Sequence, residues 1–210
     1  MKERKIVLIA LLAVLIVFSV LYFSTRNMEM PKNQAMPWQS FVNEQGNTSV
    51  FNLTIGQSDL TDAMRLFGSE VEASLFENEG KEPELEVFFS STKVGGLSAK
   101  VILNLQLDSE RIDILGNNIK ESMVMPSGTQ KTTFNLAAES AMFALKIKSL
   151  TFIPSADLSE DTVLDLFGKA GKVELVDEDL SYWYYPVKGL RIILSKEHGE
   201  ILEFYNTEKL

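Results

Sequence analysis

The period of the apolar positions changes several times along the chain, and each change marks an element. Ile6 to Phe23 is an apolar run in which Ser19 and Tyr22 are the only polar residues. At about 1.5 Å per residue it makes roughly 27 Å of helix, close to the ~30 Å hydrocarbon thickness of a bilayer. Lys2, Arg4 and Lys5 precede it and only Arg26 follows closely, so the positive-inside bias leaves the N-terminus in the cytoplasm. The run ends Val20-Leu21-Tyr22-Phe23-Ser24-Thr25, without the small-residue site of a cleaved signal peptide. The pattern therefore predicts a cytoplasmic stub over 1–5 and a single-pass signal-anchor helix over 6–23. Residues 24–47 carry Pro31, Pro37 and polar residues with no apolar period, and read as a tether. Trp38 and Phe41 are its exceptions, suited to a membrane interface or to docking on the folded region.

From Thr48 onward the pattern is globular, and it repeats. Ser58 to Gly68 predicts a short helix with a capping serine, acids in its first turn and a terminal glycine. About one hundred residues later Ser159 to Gly168 has the same cap, acidic start and Leu-Phe-Gly stop. Strands are predicted after the first helix at Val71–Phe76, Leu85–Phe89 and Leu97–Leu105. After the second they are predicted at Lys172–Val176, Ser181–Tyr185, Leu190–Ser195 and Ile201–Tyr205. Between the copies, helices are expected at Ser109–Ile119 and Ala137–Leu145, a turn at Pro126-Ser127-Gly128, and a strand at Ile147–Ile153. The expected fold class is α+β: an N-terminal transmembrane helix followed by two helix-plus-antiparallel-meander repeats. The repeats span 48–107 and 154–210, with a connecting α/β segment over 108–153.

Charge narrows the partners. Residues 27–210 hold 16 basic and 28 acidic side chains, a balance that repels nucleic acid and anionic headgroups. The chain has no cysteine, which removes disulfides, thiolate chemistry and lipidation at cysteine. With the anchor, this points to a bacterial inner-membrane protein whose C-terminal part is periplasmic.

The chemistry-bearing residues are sparse. His198 is the only histidine and falls in the turn Lys196-Glu197-His198-Gly199, so no triad or multi-histidine zinc site can be built from one chain. Asp177-Glu178-Asp179 lacks calcium-loop spacing. Met28, Met30 and Met36 offer soft thioethers of the kind that suit Cu(I), yet a plain linker accounts for them. The glycines at 95–96 and 168–171 lack phosphate-loop spacing. Neither a cofactor nor a metal is expected. The strongest binding signal is Tyr182-Trp183-Tyr184-Tyr185. Strand alternation sends Tyr182 and Tyr184 to one face and Trp183 and Tyr185 to the other; one pair belongs to the core and the other is open to a partner.

Ile55-Gly56-Gln57-Ser58, Leu66-Phe67-Gly68, Leu166-Phe167-Gly168 and Trp183-Tyr184-Tyr185 resemble the helix-plus-meander unit of the small outer-membrane assembly lipoproteins of SmpA/OmlA (BamE-like) type, and of β-lactamase-inhibitor-like tandem repeats. The chain departs from that pattern in lacking a lipidated cysteine and a proline after the helix-ending glycine. The resemblance implies a non-catalytic module that binds envelope proteins, accessory to cell-envelope assembly. The alternative is a small-molecule sensor or hydrolase using carboxylates in a cleft between the repeats.

Overall fold

The computed structural model describes residues 35–197 and 199–207. Its helices are short and start where the sequence supplies caps. Helix α1 (Leu60–Phe67) is capped by Asp59, whose carboxylate accepts from the Asp62 amide at 3.1 Å. The cap is one residue later than expected, because the Ser58 hydroxyl instead accepts from the Thr54 amide. Helix α2 (Ser109–Gly116) is capped by Asp108, and α3 covers Leu136–Met142. Helix α4 (Glu160–Phe167) is capped by Ser159, which accepts from Thr162 at 3.2 Å. Gly68 and Gly168 end α1 and α4 at positive φ, where a side chain would be strained.

The other regular elements are strands and two short 3-10 turns, Pro37–Gln39 and Pro186–Lys188. A three-stranded sheet is formed by β1 (Phe41–Val42), β2 (Thr48–Val50) and β3 (Leu53–Thr54). The other strands are β4 (Glu72–Glu77), β5 (Glu84–Val94), β6 (Leu97–Leu105), β7 (Ile119–Val124), β8 (Gln130–Phe134) and β9 (Ile147–Pro154). They are followed by β10 (Lys172–Leu175), β11 (Leu180–Tyr185), β12 (Leu190–Ser195) and β13 (Ile201–Tyr205). These ten make one antiparallel sheet in the order β10-β11-β12-β13-β9-β6-β5-β4-β8-β7.

The expected fold class is corrected in two respects. Among the described residues strand outweighs helix about two to one, so the architecture is mostly antiparallel β. The meanders also do not stand as separate sheets. An open meander leaves an edge of unpaired backbone groups, and here β13 and β9 satisfy each other's edge through Leu202↔Phe152 and Phe204↔Leu150. Residues expected to lie in a helix through Ile119 instead leave it at Gly116 and enter the β7–β8 hairpin, which extends the sheet.

No helix among the described residues is long and apolar enough to cross a membrane. That finding corrects the transmembrane, single-pass, signal-anchor reading and the inner-membrane location expected from it; the run 6–23 itself lies outside the described residues. An apolar run dictates that its side chains be buried, not which medium buries them.

The core lies on one face of the large sheet. Alternate strand residues such as Leu85, Val87, Val101, Leu103, Ile192 and Leu202 are fully buried there against the helices and the small sheet. Phe51, in the β2–β3 turn, joins the layers: its ring centroid lies 5.1 Å from that of Phe152, 5.8 Å from Phe67 and 6.1 Å from Phe204. Both turn residues take positive φ, 53° at Phe51 and 63° at Asn52, as a two-residue hairpin turn of this twist requires. Trp38 docks edge-on to Phe167 at 6.4 Å, and its carbonyl accepts from Lys188 at 2.8 Å.

Candidate functional site

Strand β11 divides its aromatic residues cleanly. Trp183 is 7% exposed and Tyr185 2%, so this pair faces the core. The Trp183 indole donates to Ser181 at 3.1 Å, and the Tyr185 hydroxyl donates to the Gly168 carbonyl at 3.0 Å, holding the end of α4. Tyr182 and Tyr184 point to the opposite face and remain part-exposed. Of the four aromatic candidates, the structure thus brings only these two to an accessible surface.

On that face the strand register aligns side chains that lie far apart in sequence. One row runs Lys172, Tyr184, Arg191, Glu203, Thr151, Ile102 and Phe88 across seven strands. The row beside it runs Tyr205, Ser149, Asn104 and Glu86. Between them lies an open groove of about 700 Å³ at the seam where β13 meets β9. Glu84, Lys148 and Pro186 complete its wall together with members of both rows.

Paired charges dominate the groove. Arg191 donates from Nε and from a terminal nitrogen to Glu203 Oε2, at 2.6 and 2.5 Å. Its guanidinium also lies 5.5 Å from the centre of the Tyr182 ring. Burial works against the Arg191 charge, but Glu203 together with Tyr184 and Tyr205 outweighs it and the net shift is upward. At the rim, Lys172 sits 3.0 Å from Glu174 and 5.2 Å above the Tyr184 ring. The Glu174 contact raises the Lys172 pKa and lowers that of the carboxylate. Burial raises the Tyr205 hydroxyl against the opposing pull of Arg191. Burial, then the neighbouring Glu84 charge, raises Glu86, with Lys131 opposing. The Asn104 side-chain oxygen is buried in the groove wall with no hydrogen-bond partner.

Such a surface can bind but offers no nucleophile–base pair. Arg191 and Glu203 hold each other, and the two tyrosines present ring faces and hydroxyls. The acidic turn is structural: the Lys196 ammonium donates to the Glu178 carbonyl at 2.6 Å and pairs with Asp179 at 3.0 Å. Among the described residues no group of three or more His, Asp or Glu is placed to hold a metal ion. His198, Met28 and Met30 lie outside the described residues, and the Met36 sulfur packs beside Gly95.

Arg191, Glu203, Tyr205 and Asn104 carry the groove, and sequence reasoning did not single them out. Their signal was present as polar residues alternating with apolar ones: Glu203 and Tyr205 around Phe204, Ser149 and Thr151 around Leu150. What the sequence lacks is the register that joins β13 to β9 and β9 to β6. No protein-family model matches the chain, nor does any curated protein or solved structure.

Proposed function

We propose that this protein is a non-catalytic binding module that engages a protein partner through the open face of its ten-stranded sheet. The observation that carries this reading is the Arg191–Glu203 pair framed by Tyr182, Tyr184 and Tyr205 on an accessible groove. Arginine and tyrosine give up little conformational freedom per contact made, and they dominate binding hot spots. An open groove whose charges are already paired suits a macromolecular surface better than it suits chemistry, which needs a nucleophile and a base within reach of each other and of a reacting atom. The likeness of the two helix–strand units to envelope-assembly lipoproteins supports a binding role as well.

A photo-crosslinking residue at Tyr184 or Thr151 of the full-length protein tests this in cells. A discrete adduct is expected from these positions and not from Leu164 on the outer face of α4. Arg191→Ala should weaken the same complex by roughly tenfold or more, as loss of a hot-spot arginine does. Identical adducts from both faces, or none from the groove, would overturn the proposal. The latter result favours a second reading, a small polar ligand whose hydroxyl or amide donates to the unpartnered Asn104 oxygen.

A further inference from the structure

The ten-stranded sheet ends in two edge strands, β10 and β7, each paired on one side only among the described residues. Both carry exposed apolar side chains: Val173 and Leu175 on β10, Ile119, Met123 and Val124 on β7. Unpaired edges of this kind are templates for further pairing. We infer that β10 pairs with β10 of a second copy, making an antiparallel homodimer with one sheet running through both molecules. This edge adjoins the groove proposed for a protein partner and shares Lys172 with its rim, but neither reading needs the other.

The phase of the ladder comes first. The Val176 amide donates to the Leu180 carbonyl at 3.0 Å, which makes 176 and 180 a hydrogen-bonded pair. Antiparallel pairs alternate, so Glu174 and Lys172 share bonds with Tyr182 and Tyr184, and the backbone groups of Val173 and Leu175 point to the open edge. A two-fold axis perpendicular to the sheet can then pass midway between Val173 and Val173 of the second copy. Val173 exchanges both of its bonds with Val173 of the second copy. Lys172 falls opposite Glu174 and Glu174 opposite Lys172, in non-bonded pairs where side chains approach most closely. On the core face Leu175 lies over Gly171, which has no side chain to obstruct it.

Charge selects this register. Sliding the copies to the next register in either direction sets Glu174 against Glu174, or Lys172 against Lys172, and like charges directly opposite are destabilising. The other edge fits itself poorly. The Met125 amide donates to the Thr129 carbonyl at 2.8 Å, so in β7 the backbone groups of Ser122 and Val124 face outward, and an irregularity between Ile119 and Glu121 interrupts the ladder beyond them. The registers its free groups allow set Glu121 opposite Met123 or Met125, so no pair of opposite charges selects one. Pairing through β10 also covers Val173 and Leu175, which are 46% and 77% exposed in the single chain.

Because the chain has no native cysteine, full-length protein carrying Val173→Cys has a single thiol. In a bonded antiparallel pair the Cα atoms are about 5.5 Å apart, within the range of about 4.4–6.8 Å a disulfide spans. Oxidation with diamide should give a disulfide-linked dimer of V173C, while V187C on an exposed turn off the strand should stay monomeric. Adding Lys172→Glu to V173C should abolish the linked dimer by placing carboxylates opposite each other. Adding Glu174→Lys to that variant should restore it. Circular dichroism checks that each variant is folded. Linkage of V173C no faster than of V187C, failure of the charge exchange to restore it, or preferential linkage through Ser122→Cys on β7 would each overturn the inference.

Discussion

Glu86 shows what the sheet can do to a single carboxyl. It points to the open face, half-buried, with Glu84 beside it, and both burial and that charge raise its pKa above the usual carboxylate value of 4.5. The folded state therefore binds this proton more tightly than the unfolded chain does. Glu86 costs nothing below the ordinary range, and its ionisation becomes a penalty as pH rises through the raised folded value. Urea midpoints across that range should fall with pH in the wild type and fall less in Glu86→Gln, which should be the more stable protein at neutral pH. Parallel pH profiles would show that Glu86 ionises freely. Residues of this kind resist sequence reading. The alternation of Ser181–Tyr185 was legible, and so was the division into two pairs. Which pair faces the core depends on what lies across the sheet, and that is decided by Phe167 and Gly168, which meet Tyr185 from a different element.

Elements are held together at a few close approaches, and the nearest is Gly189. It ends the turn after β11 with φ 57°, and a Cβ there would sit 2.8 Å from Cβ of Thr48 on the small sheet. Thr48 is fully buried, and its hydroxyl donates to the Tyr205 carbonyl at 2.6 Å, tying β2 to β13. Gly189→Ala should cost about 1–2 kcal/mol for the left-handed backbone and about 1–3 kcal/mol more for overpacking. Gly199→Ala, also at positive φ but with nothing within 4 Å, should lose only the first part. Equal thermal shifts for the two variants would show that the contact with Thr48 yields without cost. The helices were the legible elements, because a cap, an acidic first turn and a terminal glycine are local signals. The β7–β8 hairpin was not, because Ile119–Val124 is exposed along its whole length and carries no burial period to read.

At the scale of the molecule, distant stretches of chain are brought into one sheet. Its seam joins residues 149–152 to 202–205, and β9 lies beside β6 across an excursion of some forty residues. Closing such loops costs entropy before any contact rewards it, so non-local sheets fold slowly. Refolding from urea, followed by the fluorescence of Trp38 and the buried Trp183, should occupy milliseconds to seconds. A microsecond phase carrying the whole amplitude would mean that local contacts dominate. The joining of two meanders into one sheet was not legible for the same reason: strand signals are local, whereas the order of strands is a property of the complete chain. The position of β13 has a consequence for biosynthesis. It is the last of the ten strands to leave the ribosome, yet it occupies the fourth place in the sheet, between β12 and β9. Until it emerges, β10–β12 and the strands gathered around β9 are two separate pieces, each presenting a bare edge where the seam will form. The nascent chain therefore carries both bare edges until β13 has been made, and a chaperone that shields strand edges would matter most over that interval.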